Sequence, residues 1–86
     1  MRTIHKHILD GPRIKTTLML PTGAKAIHTA LQDSLVTVWV ECDPVAEGAE
    51  RTFTVCSTGG ELPQPAEYIG TVHGGGFVWH VYEITP

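Results

Sequence analysis

Basic residues are scarce in this sequence. Six Lys and Arg stand against nine Asp and Glu among 86 residues, which gives a formal net charge of −3. Domains that track nucleic-acid phosphates usually carry a clear excess of Lys and Arg, so we expect no nucleic-acid partner. The deficit is uneven, because residues 1–43 carry +1 and residues 44–86 carry −4. The sequence therefore still allows a local basic patch formed by Arg2, Lys6, Arg13 and Lys15.

Cysteines and long apolar runs are also few. Cys42 and Cys56 lack a CxxC spacing, which argues against a zinc knuckle or a redox motif, and we expect two buried free thiols. No apolar run approaches the roughly 20 residues that cross a bilayer. Residues 1–7 lack the apolar centre of a signal peptide. We expect a cytoplasmic protein with no membrane partner.

The amount of apolar sequence is sufficient for a folded domain. Hydrophobic residues make up 42% of the chain and charged residues 17%, a balance typical of globular proteins rather than disordered tails. At 86 residues the chain is too short to divide into two cores. We expect one β-rich domain over residues 1–86.

Strand signals dominate the chain. Short runs of β-branched and aromatic residues alternate with turn formers, at spacings of roughly ten residues. The predicted runs are 3–9, 13–20, 25–32, 35–40, 51–57, 68–73 and 76–84. This pattern predicts an all-β fold, a small antiparallel sandwich or barrel of about seven strands. Residues 25–32 also contain good helix formers, so one short helix is the alternative there.

Turn signals predict which strands are neighbours. We expect hairpins at Asp10-Gly11-Pro12, joining the first two runs, at Asp33-Ser34, and at Gly74-Gly75. The fourth run is apolar on both faces, which predicts a central strand. Because so small a domain has a thin core, we expect a homo-oligomer that buries further apolar surface.

No catalytic or metal-binding motif is present. The five histidines show no converging ligand spacing, and no elbow sequence flanks a serine or cysteine. We therefore expect a protein that is not an enzyme and that binds no metal and no cofactor.

Glycine-rich segments are the most distinctive feature. Thr58-Gly59-Gly60 and Gly74-Gly75-Gly76 both fall at strand ends, where backbone N–H groups can hold an anion. The alternative is a simple hairpin turn at Gly74-Gly75-Gly76 and a bulge at Gly59-Gly60. Arg51 is a cation that can complete such a site. In the last strand, alternation places Phe77 and Trp79 on one face and His80 on the other, so one face is core and the other a stacking surface or an oligomer seam.

The whole chain resembles a family of small bacteriophage proteins with no assigned function. The resemblance rests on Pro21-Thr22-Gly23-Ala24-Lys25, Val38-Trp39-Val40, Asp43-Pro44, Arg51-Thr52-Phe53, Thr58-Gly59, Tyr68-Ile69-Gly70-Thr71-Val72 and Phe77-Val78-Trp79-His80-Val81-Tyr82-Glu83. It implies a phage or prophage origin, and hence the cytoplasm of the host cell. It supplies no catalytic residue.

Small phage proteins outside the virion often act on host machinery, and some resemble oligomeric sponges for nucleotide signals. The leading hypothesis is a counter-defence protein that sequesters a nucleotide-derived signalling molecule. Its expected ligand-binding residues are Arg51 as phosphate partner, Thr58, Gly59 and Gly60 as an anion nest, His73, and Trp79 as a stacking surface. The alternatives are an inhibitor or adaptor that binds a host protein through a β edge or the acidic segment 41–50, and a minor virion or assembly component.

Overall fold

The fold is all-β, as predicted. A computed structural model describes residues 1–12 and 14–85, and these contain seven antiparallel strands and no helix. The strands are β1 (Thr3–Ile8), β2 (Lys15–Pro21), β3 (Lys25–Gln32), β4 (Leu35–Cys42), β5 (Gly48–Ser57), β6 (Ala66–Gly74) and β7 (Phe77–Ile84). Residues 25–32 are strand rather than helix.

The strands form two sheets that pack as a sandwich. Sheet A has the order β1-β4-β3, and sheet B has the order β2-β5-β7-β6. The apolar strand β4 is central in sheet A, which confirms that prediction. Its inner residues Val38 and Val40 are 0% and 1% exposed and belong to the same core cluster as Phe53 and Val81 of sheet B. The core therefore lies between the two sheets.

The predicted hairpin between the first two strands is wrong. β1 pairs with β4, whereas β2 pairs with β5 in the other sheet. The Leu9 amide still donates to the Val36 carbonyl of sheet A at 2.9 Å, and the Asp10 amide donates to Thr16 Oγ1 at 2.8 Å. The segment after β1 thus crosses from one sheet to the other, because both strands have an apolar face that must reach the shared core.

The other two hairpins are formed. Asp33 and Ser34 both have positive φ, as do Gly75 and Gly76, the pattern of a type I′ turn that matches the twist of paired strands. The second turn lies one residue later than predicted. A bulge between Ala26 and His28 shifts the β3 register, so Ala26 faces the core with Thr29 while Ile27 is exposed.

The sandwich is closed along one side only. β3 and β6, the edges of the two sheets, pack against each other, and a Cβ on Gly70 would lie 2.7 Å from Thr29 Cγ2. A Cβ on Gly74 would clash with Leu31 Cδ1. A larger residue at either position would therefore force the facing side chain of β3 to shift. On the opposite side β1 and β2 are the free edges of their sheets.

The predicted thiols and basic patch can now be placed. Cys42 and Cys56 are both buried and unpaired, as predicted. The patch is divided between the sheets, since Lys6 lies on β1 of sheet A and Lys15 on β2 of sheet B. Arg2 directly precedes β1, and Arg13 lies outside the described residues.

Candidate functional site

Arg51 is held inside the sandwich. It lies on the inner face of β5, where its Nε and Nη2 donate to the two carboxylate oxygens of Glu83, the second at 2.9 Å. Its Nη1 donates to the Ala24 carbonyl at 2.9 Å. The hydrogen bond to Glu83 raises the pKa of Arg51 above its ordinary value, while burial opposes the rise. Arg51 thus joins sheet B to the β2–β3 turn.

Arg51 and the glycine turn are not brought together. They lie at opposite ends of β5, and the seven-residue separation from Arg51 to Thr58 spans about 23 Å of extended strand. The guanidinium is therefore far from the Gly59 and Gly60 amides, and the combined anion site expected from the sequence does not form in one place.

The Thr58–Gly60 segment is a tight turn. Gly59 has φ of +84°, and the Gly60 amide donates to the Ser57 carbonyl at 3.0 Å. One of the two glycine amides expected in the anion nest is thus used inside the turn. A Cβ on Gly60 would lie 2.9 Å from Ser57 Oγ, so the turn has no room for a larger residue there without a shift.

His73 and Trp79 face opposite sides of sheet B. Trp79 is on the inner face, packed against the core, and it stacks on Phe77 with ring centroids 5.4 Å apart and planes 17° apart. Phe77 covers Trp79 and is itself 60% exposed. His73 pairs with Val78 on the outer side, because the neighbouring Val72 points into the core.

A hydroxyl and imidazole network crosses the outer face of sheet B. His80 Nε2 lies 2.8 Å from Thr58 Oγ1, His80 Nδ1 lies 3.0 Å from Thr71 Oγ1, and Thr71 Oγ1 lies 2.6 Å from the Tyr68 hydroxyl. We call these four residues the His80 network. Neutral imidazole donates from one nitrogen and accepts at the other, so both of its polar atoms are used here. The network therefore anchors the Thr58 turn to β7 and β6.

The sequence contained a partial signal for this network. Alternation along the last strand separated His80 from Phe77 and Trp79 and put it on a face of its own. The partners of His80 were not predictable, because they depend on the pairing of β7 with β6 and on the path of the turn after β5.

Beside the network lies an open groove on the outer face of sheet B. We call it the Lys15 groove; it has a volume of about 480 Å³. Its lining includes Lys15, Thr54, Cys56, Glu61, Leu62 and Pro63, so the groove contains one carboxylate besides the ammonium group. Lys15 stands directly across from Thr54 in the strand register, and Cys56 across from His80. The groove thus runs between β2 and the segment that follows the Thr58 turn.

Lys15 is the cation available in this groove. It is exposed, and it forms no salt bridge with any residue in the described part of the chain. A second groove, of about 540 Å³, extends from Lys15 towards Thr17, Thr52 and Ile84. The second groove is also lined by the Arg51–Glu83 pair and Glu50, and Lys15 lies where the two shallow depressions meet.

The described residues contain neither a metal-ligand cluster nor a helix suited to span a membrane. Within residues 1–12 and 14–85, no three His, Cys, Asp or Glu side chains are arranged to hold a metal ion. The same residues include no helix long and apolar enough to cross a membrane.

Fold and surface together define a small two-sheet β-sandwich protein with a lysine-bearing groove on its four-stranded sheet. The family described as a domain of unknown function, DUF7352, matches residues 1–86. The chain belongs to this family. Comparison with curated proteins and with solved structures found no match.

Proposed function

We propose that this protein is a non-enzymatic, phage-encoded counter-defence protein that binds and sequesters a nucleotide-derived signalling molecule as a homo-oligomer. The observation that carries the proposal is the Lys15 groove, where an exposed ammonium group without an ion-pair partner in the described chain stands beside hydroxyl and apolar groups. The phage context comes from the resemblance of the sequence.

The groove has the chemistry that a nucleotide requires. A phosphate group accepts hydrogen bonds from an ammonium and from hydroxyls, which Lys15 and Thr54 supply across one strand pair. Leu62 and Pro63 provide apolar surface for a base. The volume of about 480 Å³ falls within the range of small-molecule sites. Lys15 thus takes the role that the sequence suggested for Arg51.

The His80 network supports this role by fixing one wall of the groove. Thr58 precedes the Gly59–Gly60 turn, and its bond to His80 holds that turn against β7. Since both ring nitrogens of His80 already have hydroxyl partners, the arrangement favours a positioning role over proton transfer. A preformed wall lowers the entropic cost of binding, which suits a sequestering protein.

The first test combines native mass spectrometry with ligand titration. The protein, purified gently from a bacterial host, is weighed intact for oligomer mass and for retained small molecules. It is then titrated with a panel of linear and cyclic dinucleotides by calorimetry. We expect binding that Lys15→Glu weakens by about tenfold or more, equal to about 1.4 kcal/mol. The matched control is Lys25→Glu, which makes the same charge change on exposed β3 of sheet A.

Two outcomes would contradict the proposal. Equal weakening by Lys15→Glu and Lys25→Glu would mean that only net charge matters. A bare protein that binds no member of the panel would exclude nucleotide sequestration. Arg51→Glu is unsuitable as the test, because it places two carboxylates together inside the sandwich and acts on folding.

One observation favours a second candidate, an adaptor or inhibitor that binds a host protein. β1 is an open edge strand of sheet A with exposed Ile4 and Ile8. The acidic segment is less suited to that task, since Glu41 is paired with Arg2 and Glu50 lies within β5.

A further inference from the structure

The free edge of β1 exposes backbone hydrogen-bonding groups. The Leu9 amide donates to the Val36 carbonyl, and the register pairs His7 with Val38 and His5 with Val40. Hydrogen-bonded pairs alternate along an antiparallel ladder, so the odd-numbered residues of β1 bond to β4. The N–H and C=O groups of Ile4, Lys6 and Ile8 therefore point away from the sheet.

The side chains of the same three residues share the outer face of sheet A. Ile4 is 56% exposed and Ile8 52% exposed, with Lys6 between them. Solvated strand faces normally carry polar residues at such positions. The Lys6 ammonium donates to Gln32 Oε1 at 2.6 Å, which leaves two of its three protons free for another acceptor. The edge thus presents an apolar, cationic, apolar series.

Charge on the edge is of one sign. β1 and the preceding Arg2 contain no carboxylate, and His5 and His7 lie on the inner side of the strand. The His7 Nε2 atom is buried and has no hydrogen-bond partner among the described residues. A partner that lies along this edge and carries acceptors would complement Lys6.

A second copy of this chain does not supply such a partner. Antiparallel pairing of two β1 strands centred on Lys6 would bring two ammonium groups together, and edge lysines commonly prevent that kind of pairing. The other free edge, β2, carries Lys15 and no carboxylate. The charge on both edges therefore favours a different protein.

We propose that the outer edge of β1 binds an extended acidic segment of another protein by strand addition. The segment carries a carboxylate opposite Lys6 and apolar residues opposite Ile4 and Ile8. Its backbone completes the hydrogen bonds of those three residues, and its alternate side chains lie over sheet A. The inference is independent of the nucleotide proposal, since it uses the other sheet.

The test uses a pair of synthetic peptides and the full-length protein. The acidic probe is acetyl-Thr-Ile-Thr-Glu-Thr-Ile-Thr-amide, and the control peptide has Lys in place of Glu. Amide NMR spectra of the labelled protein follow each titration. We expect the acidic peptide to shift and protect the amides of Ile4, Lys6 and Ile8. We expect Lys6→Glu to exchange the preference of the protein for the two peptides, by about fivefold in each direction.

Strand addition is separated from simple charge attraction by a backbone variant. Ile8→Pro removes an N–H that points away from β4, so the native sheet is retained while one intermolecular hydrogen bond is lost. Its matched control is Ile8→Thr, which loses the same apolar side chain but keeps the amide. We expect Ile8→Pro to bind the acidic peptide several-fold more weakly than Ile8→Thr.

Three results would overturn the inference. The first is equal peptide binding by the folded Ile8→Pro and Ile8→Thr variants. The second is failure of Lys6→Glu to change the peptide preference. This test does not depend on whether Ile8→Pro folds. The third is tighter binding of a single-stranded oligothymidylate than of the acidic peptide, with dependence on Lys6 alone, which would make the edge a general anion surface.

Discussion

Breaking the Arg51–Glu83 pair should cost far more stability than breaking an ion pair on the surface. Side chains of the pair are 24% and 12% exposed, and Arg51 also donates to the Ala24 carbonyl. Arg51→Met removes all three hydrogen bonds and leaves the Glu83 carboxylate uncompensated in the sandwich. Loss of one partner from a fully buried pair costs about 3–5 kcal/mol. Partial exposure lowers this value, and we expect about 2–3 kcal/mol.

Urea denaturation followed by tryptophan fluorescence measures this loss. Proteins of this kind have stabilities of about 0.05–0.15 kcal/mol per residue, so the expected loss is a large share of the total. With a urea dependence near 1 kcal/mol per molar, the midpoint should fall by about 2–3 M. Trp39 lies in sheet A and Trp79 in sheet B, so variants that keep only one tryptophan report on each sheet separately. Their transitions should coincide if the sandwich unfolds as one unit.

The chain contains a matched control for this measurement. Arg2 forms an ion pair with Glu41 at 2.9 Å in which the side chains are 48% and 45% exposed. We expect Arg2→Met to cost no more than about 1 kcal/mol. Equal midpoint shifts for Arg51→Met and Arg2→Met would refute the reasoning, because they would show that burial and the Ala24 bond add nothing to the pair.

Two further predictions concern the two sides of the sandwich. Gly70→Ala should lower stability by about 1–3 kcal/mol, because the added methyl group overpacks against Thr29. In a thermal melt, adding Thr29→Ser should restore much of the loss. Serine lacks Cγ2 but keeps the hydroxyl that donates to the Thr37 carbonyl. On the other side, burial and the neighbouring His5 lower the pKa of His7 below its ordinary value of about 6.5. The unfolded chain therefore binds the proton more readily, so stability should be intact above about pH 6.5 and decline as pH falls, and His7→Gln should flatten that decline in urea midpoints.

Local sequence patterns were enough to predict the strands. The alternation of Phe53 and Val55 with polar neighbours, and the apolar run of β4, report directly on which residues lie between the sheets. Lys25–Gln32 became a strand despite its helix formers, because Thr29 and Leu31 gain burial between the sheets that an isolated helix would lack.

Strand pairing across the sandwich was not predictable in the same way. The break at Asp10-Gly11-Pro12 reads as a hairpin turn, yet the chain there passes between sheets because β4 and β5 offer longer complementary partners. Turn residues specify the local geometry of the chain, whereas the packing of the whole domain determines which strands pair.

The candidate site depended most on these long-range pairings. Arg51 was expected to bind a phosphate because nothing in the sequence reveals that Glu83, 32 residues later, lies beside it. Gly59-Gly60 forms a turn where the sequence suggested an anion nest or a bulge, and its contact with His80 follows from the β5–β7 pairing. A charged residue such as Arg51 is therefore easier to identify from sequence than the residue that pairs with it in the folded chain.

The two sides of the sandwich differ in how they can move. At Gly70 and Gly74 the backbone of β6 lies in close contact with side chains of β3, which joins the two sheets along this side. We expect a transient separation of the sheets to hinge at the β3–β6 side and to open on the side of β1 and β2. The sheets separate first at β1 and β2. The buried amide of Leu9 should therefore exchange its hydrogen early, and that of Val72 late.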